Sequence, residues 1–281
     1  MLKTGKFLLS FFLGAAFCTF PLRAAAALEP DYGPLKEQMN RFIQQREGTF
    51  AVYFEDLNSG GHFDINGDRP MVAASTVKMP MALYINKLVL QGKLHWYDRI
   101  AYHKASDYED GSGVLRYEAH DGDRYSVRVL TNLAITISDN VAFRMLARHV
   151  GRSNFIAFMK ELGGRTVYPG GKNLTTARDM AVYTRAVLDF ARRHPEEGRR
   201  LLDDLSHPIF HCGLPERLPD SVTVAHKEGD LDGIANDVGV VFCARPYIMV
   251  VLSDGVKDTR LGFADIAALS KMAYDFQQRL K

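Results

Sequence analysis

Ser75-Thr76-Val77-Lys78 sets a hydroxyl and an amine three residues apart. At the start of a helix this spacing puts both side chains on one face, about one turn apart. A serine hydroxyl is a poor nucleophile until a base takes its proton. A lysine buried near another cation is neutral enough to do so, and a helix N-terminus favours the negative charge that develops. The spacing is common by chance, in about half of chains of this composition, and a serine there is also an ordinary helix cap. Ser138-Asp139-Asn140 falls between two helical patterns. These are capping residue types, and Asp139 would cap the helix that begins near Asn140. The chemical alternative has Ser138 and Asn140 facing one cleft, Ser138 relaying a proton to a leaving nitrogen and Asn140 holding a substrate amide. Lys227-Glu228-Gly229 ends a late strand. Lys227 would supply positive charge there and Gly229 would let a substrate lie close, or the triplet is simply a charged strand end before a turn.

The elements that must bring these groups together are legible from periodicity. Residues 34–47 read as an amphipathic helix. Phe50 to Phe54 and His62 to Ile65 read as a hairpin around Asn58-Ser59-Gly60-Gly61. Helical patterns follow at about 75–90, 126–137, 140–150, 153–162, 177–193 and 196–205, with Thr176 and Asp179 in a capping-box arrangement. The polar, Gly-rich stretch 101–125 reads as loop. Strands return at Val222 to Lys227, Val238 to Phe242 and Tyr247 to Leu252; the last is apolar at every position, so both its faces should be covered. A long helix over 259–279 closes the chain. The economical assembly is an α+β (in the broad sense α/β) domain: a mainly antiparallel five-stranded sheet flanked by helices, with a mostly helical lobe from about 67 to 210. A cleft between sheet and lobe is the natural place for a site.

The chain is 47% hydrophobic and 24% charged over 281 residues, enough for a substantial core. Lys3 and Lys6, the apolar run Phe7 to Phe20, Pro21 and Arg23-Ala24-Ala25-Ala26-Ala27 have the layout of a secretory signal peptide, residues 1–27. The apolar run is shorter than the roughly 20 residues of a spanning helix, and Phe17 before Cys18 argues against lipid attachment. The expected product is residues 28–281, secreted or periplasmic, as a single catalytic domain. The leader holds three cations and no acid, so its loss turns a formal charge of +2 into −1. No basic stripe remains to suggest nucleic acid. Cys212 and Cys243 persist; an exporting compartment permits a disulfide, and the sequence leaves their pairing open. His207 and His211 have a helical metal-ligand spacing, but Pro208 between them argues against that helix. No metal is expected.

Ser-x-x-Lys, Ser-Asp-Asn and a Lys-Thr-Gly-like triplet in this order form the set of class A β-lactamases and penicillin-binding proteins. The chain resembles class A β-lactamase-like serine hydrolases over nearly its whole mature length. Ala73 to Pro80 resembles the nucleophile helix, Ser112-Gly113-Val114-Leu115 the cleft loop, Leu133 to Met145 the segment around Ser-Asp-Asn, and Val224 to Gly229 with Asn236 to Gly239 the late strands. Lys3-Thr4-Gly5 matches the third motif letter for letter, but lies in the leader. The resemblance implies that Ser75 attacks an amide or lactam carbonyl and is acylated, with Lys78 as base. It implies that Ser138 and Lys227 assist proton transfer to the leaving nitrogen, that Asn140, Glu228 and Gly229 bind substrate, and that the N–H groups of Ser75 and Asp230 form an oxyanion hole. No cofactor is implied, and a monomer acting on a small β-lactam or cell-wall peptide is expected.

Two departures bear on function. The family's deacylating glutamate should lie in 163–175, which contains no carboxylate. Glu228 stands where the family has Thr or Ser, and would repel a substrate carboxylate if it faced the cleft. Three readings result: a β-lactamase-like hydrolase with slow deacylation, a peptidoglycan D-Ala-D-Ala peptidase or transpeptidase-like enzyme, and a non-catalytic penicillin-binding sensor. The intact Ser75, Lys78, Ser138, Asn140 and Lys227 argue against the third.

Overall fold

The computed structural model describes residues 30–280; the leader and its Lys-Thr-Gly lie outside them. Helix α1 (Gly33–Ile43) leads into strand β1 (Thr49–Asp56) and β2 (His62–Ile65), the expected hairpin. The short β3 (Met71–Val72) and a 3-10 turn over Ala74–Val77 introduce α2 (Lys78–Leu90). The region read as loop between 101 and 125 is more structured than its polarity suggests. It contains the single-turn helices α3 (Lys104–Asp107) and α4 (Leu115–Glu118) and is bounded by β4 (Arg99–Ala101) and β5 (Arg124–Ser126), which pair antiparallel. These elements are too short to show a period.

Helices α5 (Val127–Thr136), α6 (Asn140–Val150) and α7 (Arg152–Glu161) follow, then β6 (Leu174–Thr175), α8 (Ala177–Arg193) and α9 (Pro195–Ser206). Strands β7 (Thr223–Leu231), β8 (Ile234–Phe242) and β9 (Tyr247–Asp254), and helix α10 (Thr259–Arg279), complete the chain. The sheet order is β2-β1-β9-β8-β7, antiparallel throughout. Strands β7 and β8 are longer than hydrophobicity indicated. They continue to a two-residue turn, Asp232-Gly233, closed by Leu231 opposite Ile234, with Gly233 at φ +73°. Asp-Gly is a strong signal for such a turn. The extension was hidden by Glu228, Asp230, Asn236 and Asp237, polar residues in paired strand positions.

Both faces of β9 are covered, as its composition requires. Tyr247, Met249 and Val251 enter a core with α1 and α10, including Leu35, Met39, Ile266 and Leu269. Ile248, Val250 and Leu252 enter a larger core shared with the lobe, including Met79, Leu83, Met180 and Val187. Alternation by two places successive side chains on opposite faces, so one uniformly apolar strand serves both cores. Strand β7 is left at the edge, and the 3-10 turn that carries Ser75 packs beside it. Among the described residues no helix is long and apolar enough to cross a membrane.

Candidate active site

Ser75 sits in the 3-10 turn before α2, half-buried, preceded by Ala74 at φ +48°. A non-glycine residue there is strained by about 1–3 kcal/mol and persists only when its surroundings hold it. They do so from four segments. Thr76 Oγ1 donates to Ala73 O at 2.7 Å, and Asn173 Nδ2 to Ala74 O at 3.0 Å. Ala73 N donates to Asn173 O at 3.0 Å. Asn236 Nδ2 donates to Val72 O at 2.8 Å. Gly229 completes the clamp: a Cβ there would meet Ser75 N at 2.9 Å and Ala73 O at 3.0 Å. Beside the expected use of Gly229, room for a substrate, the structure adds a closer one, room for the Ala74–Val77 turn.

Lys78 begins α2 and is 3% exposed. Its Nζ lies 3.0 Å from Ser75 Oγ, 2.6 Å from Ser138 O, 3.1 Å from Ser138 Oγ and 2.6 Å from Asn140 Oδ1. Burial, and then the charge of Lys227, lower its pKa to about 6 against the opposing pull of Asp139, Asp230 and Glu109. At neutral pH it is therefore mostly an amine. Its two N–H bonds match the two close acceptors, Ser138 O and Asn140 Oδ1, and its lone pair is left to take the Ser75 proton. That is the geometry of a general base on a serine nucleophile.

Ser138-Asp139-Asn140 has both the capping and the cleft role. Asp139 caps α6, Oδ1 accepting from Ala142 N at 2.9 Å, while Oδ2 accepts from Val114 N at 2.8 Å and Leu115 N at 3.0 Å. The segment Ser112 to Leu115 is thus pinned against the triplet, and Gly113, at φ +108°, leaves room for the carboxylate that a Cβ would strike at 2.3 Å. Asn140 N donates to Ser112 O and Asn140 Nδ2 to Asp110 O. Ser138 itself is at φ +55°, which directs both its hydroxyl and its carbonyl to Lys78.

Lys227 and Gly229 project from the face of β7 that meets the nucleophile turn. Lys227 is 2% exposed; burial lowers its pKa to about 8 despite Glu228, Asp237 and Asp230 nearby. Its Nζ donates to Glu228 O at 2.8 Å. Asp230, next along the strand, is exposed at the cleft edge. Glu228 is corrected. It alternates to the other face of the strand, where Oε1 accepts from Gly213 N at 3.0 Å and Oε2 lies 3.4 Å from Cys212 Sγ. Burial, and then Asp237, raise its carboxyl to about 7. It is 7% exposed and turned from Ser75, so the repulsion of a substrate carboxylate has no basis in this geometry.

The carboxylate-free stretch reaches the site through Asn173 and through the β3–β6 pairing of Met71 with Thr175. Its other end is held by Asp179, which accepts from Arg165 N at 2.9 Å and Thr166 N at 2.8 Å. Thr176 Oγ1 caps α8 by accepting from Asp179 N, but the reciprocal half of the capping box is diverted to this loop. Glu109, in the loop beside Asn140, pairs with Arg144 at 2.6 Å. Cys212 and Cys243 are free thiols. His207 ends α9 and faces Asp203, and 207–211 is not helical. Sequence reasoning missed Asn173 and Asn236, whose side chains act on backbone carbonyls far along the chain. It also missed the buried partnership of His226 Nδ1 with Asp237 at 2.9 Å.

This arrangement has relatives. Solved structures similar to the chain include PBP-A, 27% identical, with 88% of this chain and 97% of that one covered at a TM-score of 0.82. A mutant of PBP-A, solved as an acyl-enzyme complex with penicillin G, is 27% identical over the same shares at 0.80. An ancestral class A β-lactamase is 26% identical, covering 86% of this chain and 99% of that one at 0.78. The model of the β-lactamase enzyme family matches residues 34–277, a span that runs from α1 to the last turns of α10 and takes in the nucleophile turn, the Ser138 triplet and the β7 edge. By that match the chain belongs to the β-lactamase enzyme family, as a class A β-lactamase-like serine enzyme.

Proposed function

We propose that the protein is a serine hydrolase that forms an acyl-enzyme at Ser75 with β-lactams or related amides and releases it slowly. The observation that carries this is Lys78: a buried amine lowered to about 6, 3.0 Å from Ser75 Oγ. In the acylation step Lys78 takes the Ser75 proton as Oγ bonds to the carbonyl carbon. The ring C–N bond then breaks, and the nitrogen receives a proton through Ser138, with Lys227 holding positive charge close by. The N–H groups of Ser75 and Asp230 would receive the developing oxyanion. Hydrolysis of the ester then needs a base for water. The stretch 163–175 offers none, and Glu109 is engaged by Arg144. PBP-A supports the first half of this reading, because a mutant of it is described as an acyl-enzyme with penicillin G.

The test is mass spectrometry of the protein mixed with penicillin G and followed over time. One acyl adduct per chain, absent in Ser75→Ala and decaying far more slowly than it forms, is the expected result. Rapid multiple turnover would contradict slow release, and an adduct of undiminished yield in Ser75→Ala would contradict the nucleophile. A cell-wall D-Ala-D-Ala peptidase is the second reading, favoured by the same missing carboxylate. Faster Ser75-dependent cleavage of a D-Ala-D-Ala peptide than of penicillin would select it. Export follows from the leader layout, and secretion of the full chain with loss of residues 1–27 is its check.

A further inference from the structure

Lys227 is a buried cation, 2% exposed, without a close anion. Its Nζ donates to a neutral backbone oxygen, Glu228 O, at 2.8 Å, and among the described residues no carboxylate is in ion-pair contact with it. A charge taken out of water is costly unless an opposite charge stands near. The neighbouring amine, Lys78, is buried too and brings no negative charge.

Three carboxylates bear on Lys227: Glu228, Asp237 and Asp230. Asp230 lies further along β7 and is exposed, so water and salt screen it. Asp237, on β8, is 0% exposed, but its oxygens are already engaged by Leu214 N at 2.7 Å and by His226 Nδ1 at 2.9 and 3.0 Å. Glu228 is less committed. Oε1 accepts from Gly213 N at 3.0 Å, and Oε2 faces the weak donor Cys212 Sγ at 3.4 Å. Successive residues of a strand take opposite faces, so only the backbone of β7 separates this carboxylate from the Lys227 side chain. Charges on the two sides of such a buried wall are little screened.

We propose that Glu228 is a positioning residue of the acylation site: its carboxylate, on the back of β7, is the countercharge that keeps Lys227 protonated on the front. The groups that face Glu228 are Asp237 from β8, His226 from β7 itself and Cys212 from the segment before it, with the His211 ring 6.0 Å from that of His226. Burial, and then Asp237, hold the Glu228 carboxyl at about 7. Burial brings Lys227 down to about 8, and Glu228 is first among the charges that hold it up. Once Glu228 is ionised, its negative charge favours the charged form of the lysine. Between about 7 and about 8 the strand therefore carries a negative charge behind and a positive charge in front. The charge of Lys227 is also, after burial, what lowers Lys78, so one carboxylate behind the sheet acts on both amines before it. The use of that charge in acylation rests on the proposed role of Ser75; the charge itself does not.

The experiment titrates the amines directly, without substrate, by NMR of protein labelled with carbon-13 and nitrogen-15 in lysine. The Lys227 signal is identified by its loss in Lys227→Met. In the wild type it should respond twice, to ionisation of Glu228 at about 7 and to its own at about 8. A curve without the first step would overturn the proposal, and needs no folded variant at Glu228. Glu228→Gln keeps an acceptor for Gly213 N and loses the charge; there Lys227 should titrate about one pH unit lower. Asp230→Asn, at an exposed position, should move it by less than about half as much. An unmoved Lys227 in Glu228→Gln, or an equal shift in Asp230→Asn, would overturn the proposal as well. Stopped-flow acylation by penicillin G then reads the consequence. The plateau should end at about pH 8 in the wild type and at about 7 in Glu228→Gln. A plateau lowered without moving its end is what a merely structural loss produces, and would overturn the positioning role. Absence of any acyl adduct beside the expected lysine shift would refute the reading of Ser75 and uphold the Glu228–Lys227 pair.

Discussion

If Lys78 is the base proposed above, it works only as an amine, and its protonation would set the rate of acylation. With a pKa lowered to about 6, the acylation rate should rise with pH through 6 and level off above it. Below that value it should fall roughly tenfold per pH unit, since protonated Lys78 has no lone pair. Stopped-flow acylation by penicillin G between pH 4.5 and 7.5 measures this; a flat profile would assign the proton to another group. Lys78→Arg keeps N–H donors at the site but carries a permanent charge and does not deprotonate. It should lose about 10²–10⁴ in acylation rate while circular dichroism stays unchanged, and wild-type speed in that variant would refute the assignment. Ser75 and Lys78 were readable from spacing because one helical turn fixes their relation. Glu228 was misread because a family motif outweighed strand alternation, which alone sends it away from Lys227.

At the scale of elements, the site depends on how close β7 comes to the nucleophile turn. Gly229→Ala places a Cβ 2.9 Å from Ser75 N, among backbone atoms that cannot move aside. Overpacking of this kind costs about 1–3 kcal/mol, and a displaced reacting group loses about 10²-fold in rate. A lower melting temperature together with slower acylation is therefore expected; normal kinetics would mean the turn tolerates the shift. Asp139 is the second such link, capping α6 and pinning residues 112–115. Asp139→Ala should cost about 0.5–2 kcal/mol for the cap alone, and hydrogen exchange at Val114 and Leu115 should speed up. Unchanged exchange there would show that the cleft loop holds itself. The long helices and the β1–β2 hairpin were legible from period and turn residues. The short pieces β3 to β6 were not, because two or three residues carry no period, and their pairing is set by contacts distant in sequence.

For the molecule as a whole, the sheet is a shared wall between two cores. Met249 and Leu252, three residues apart on β9, bury into opposite sides. Met249→Ala and Leu252→Ala should each cost about 2–5 kcal/mol, and each should still unfold in one calorimetric transition, since neither core closes without the strand. Two resolved transitions in either variant would contradict a single cooperative unit. The five-stranded α+β plan followed from strands at both ends and helices between, whereas the wiring through Asn236 and Asn173 did not, because any asparagine suits a turn as well as a tether. Asn236 and the Val72 carbonyl it holds are 164 residues apart, and β1 waits for β9, a partner far along the chain. Such a chain has a high contact order and folds slowly for its size, because distant ends must meet before their contacts repay the closure. Until then the apolar hairpin of β1 and β2 has an open edge, inviting aggregation or a chaperone. Reactivity toward penicillin should thus be among the last properties to return on refolding from denaturant, which makes the acyl label a clock for the joining of the two ends of the chain.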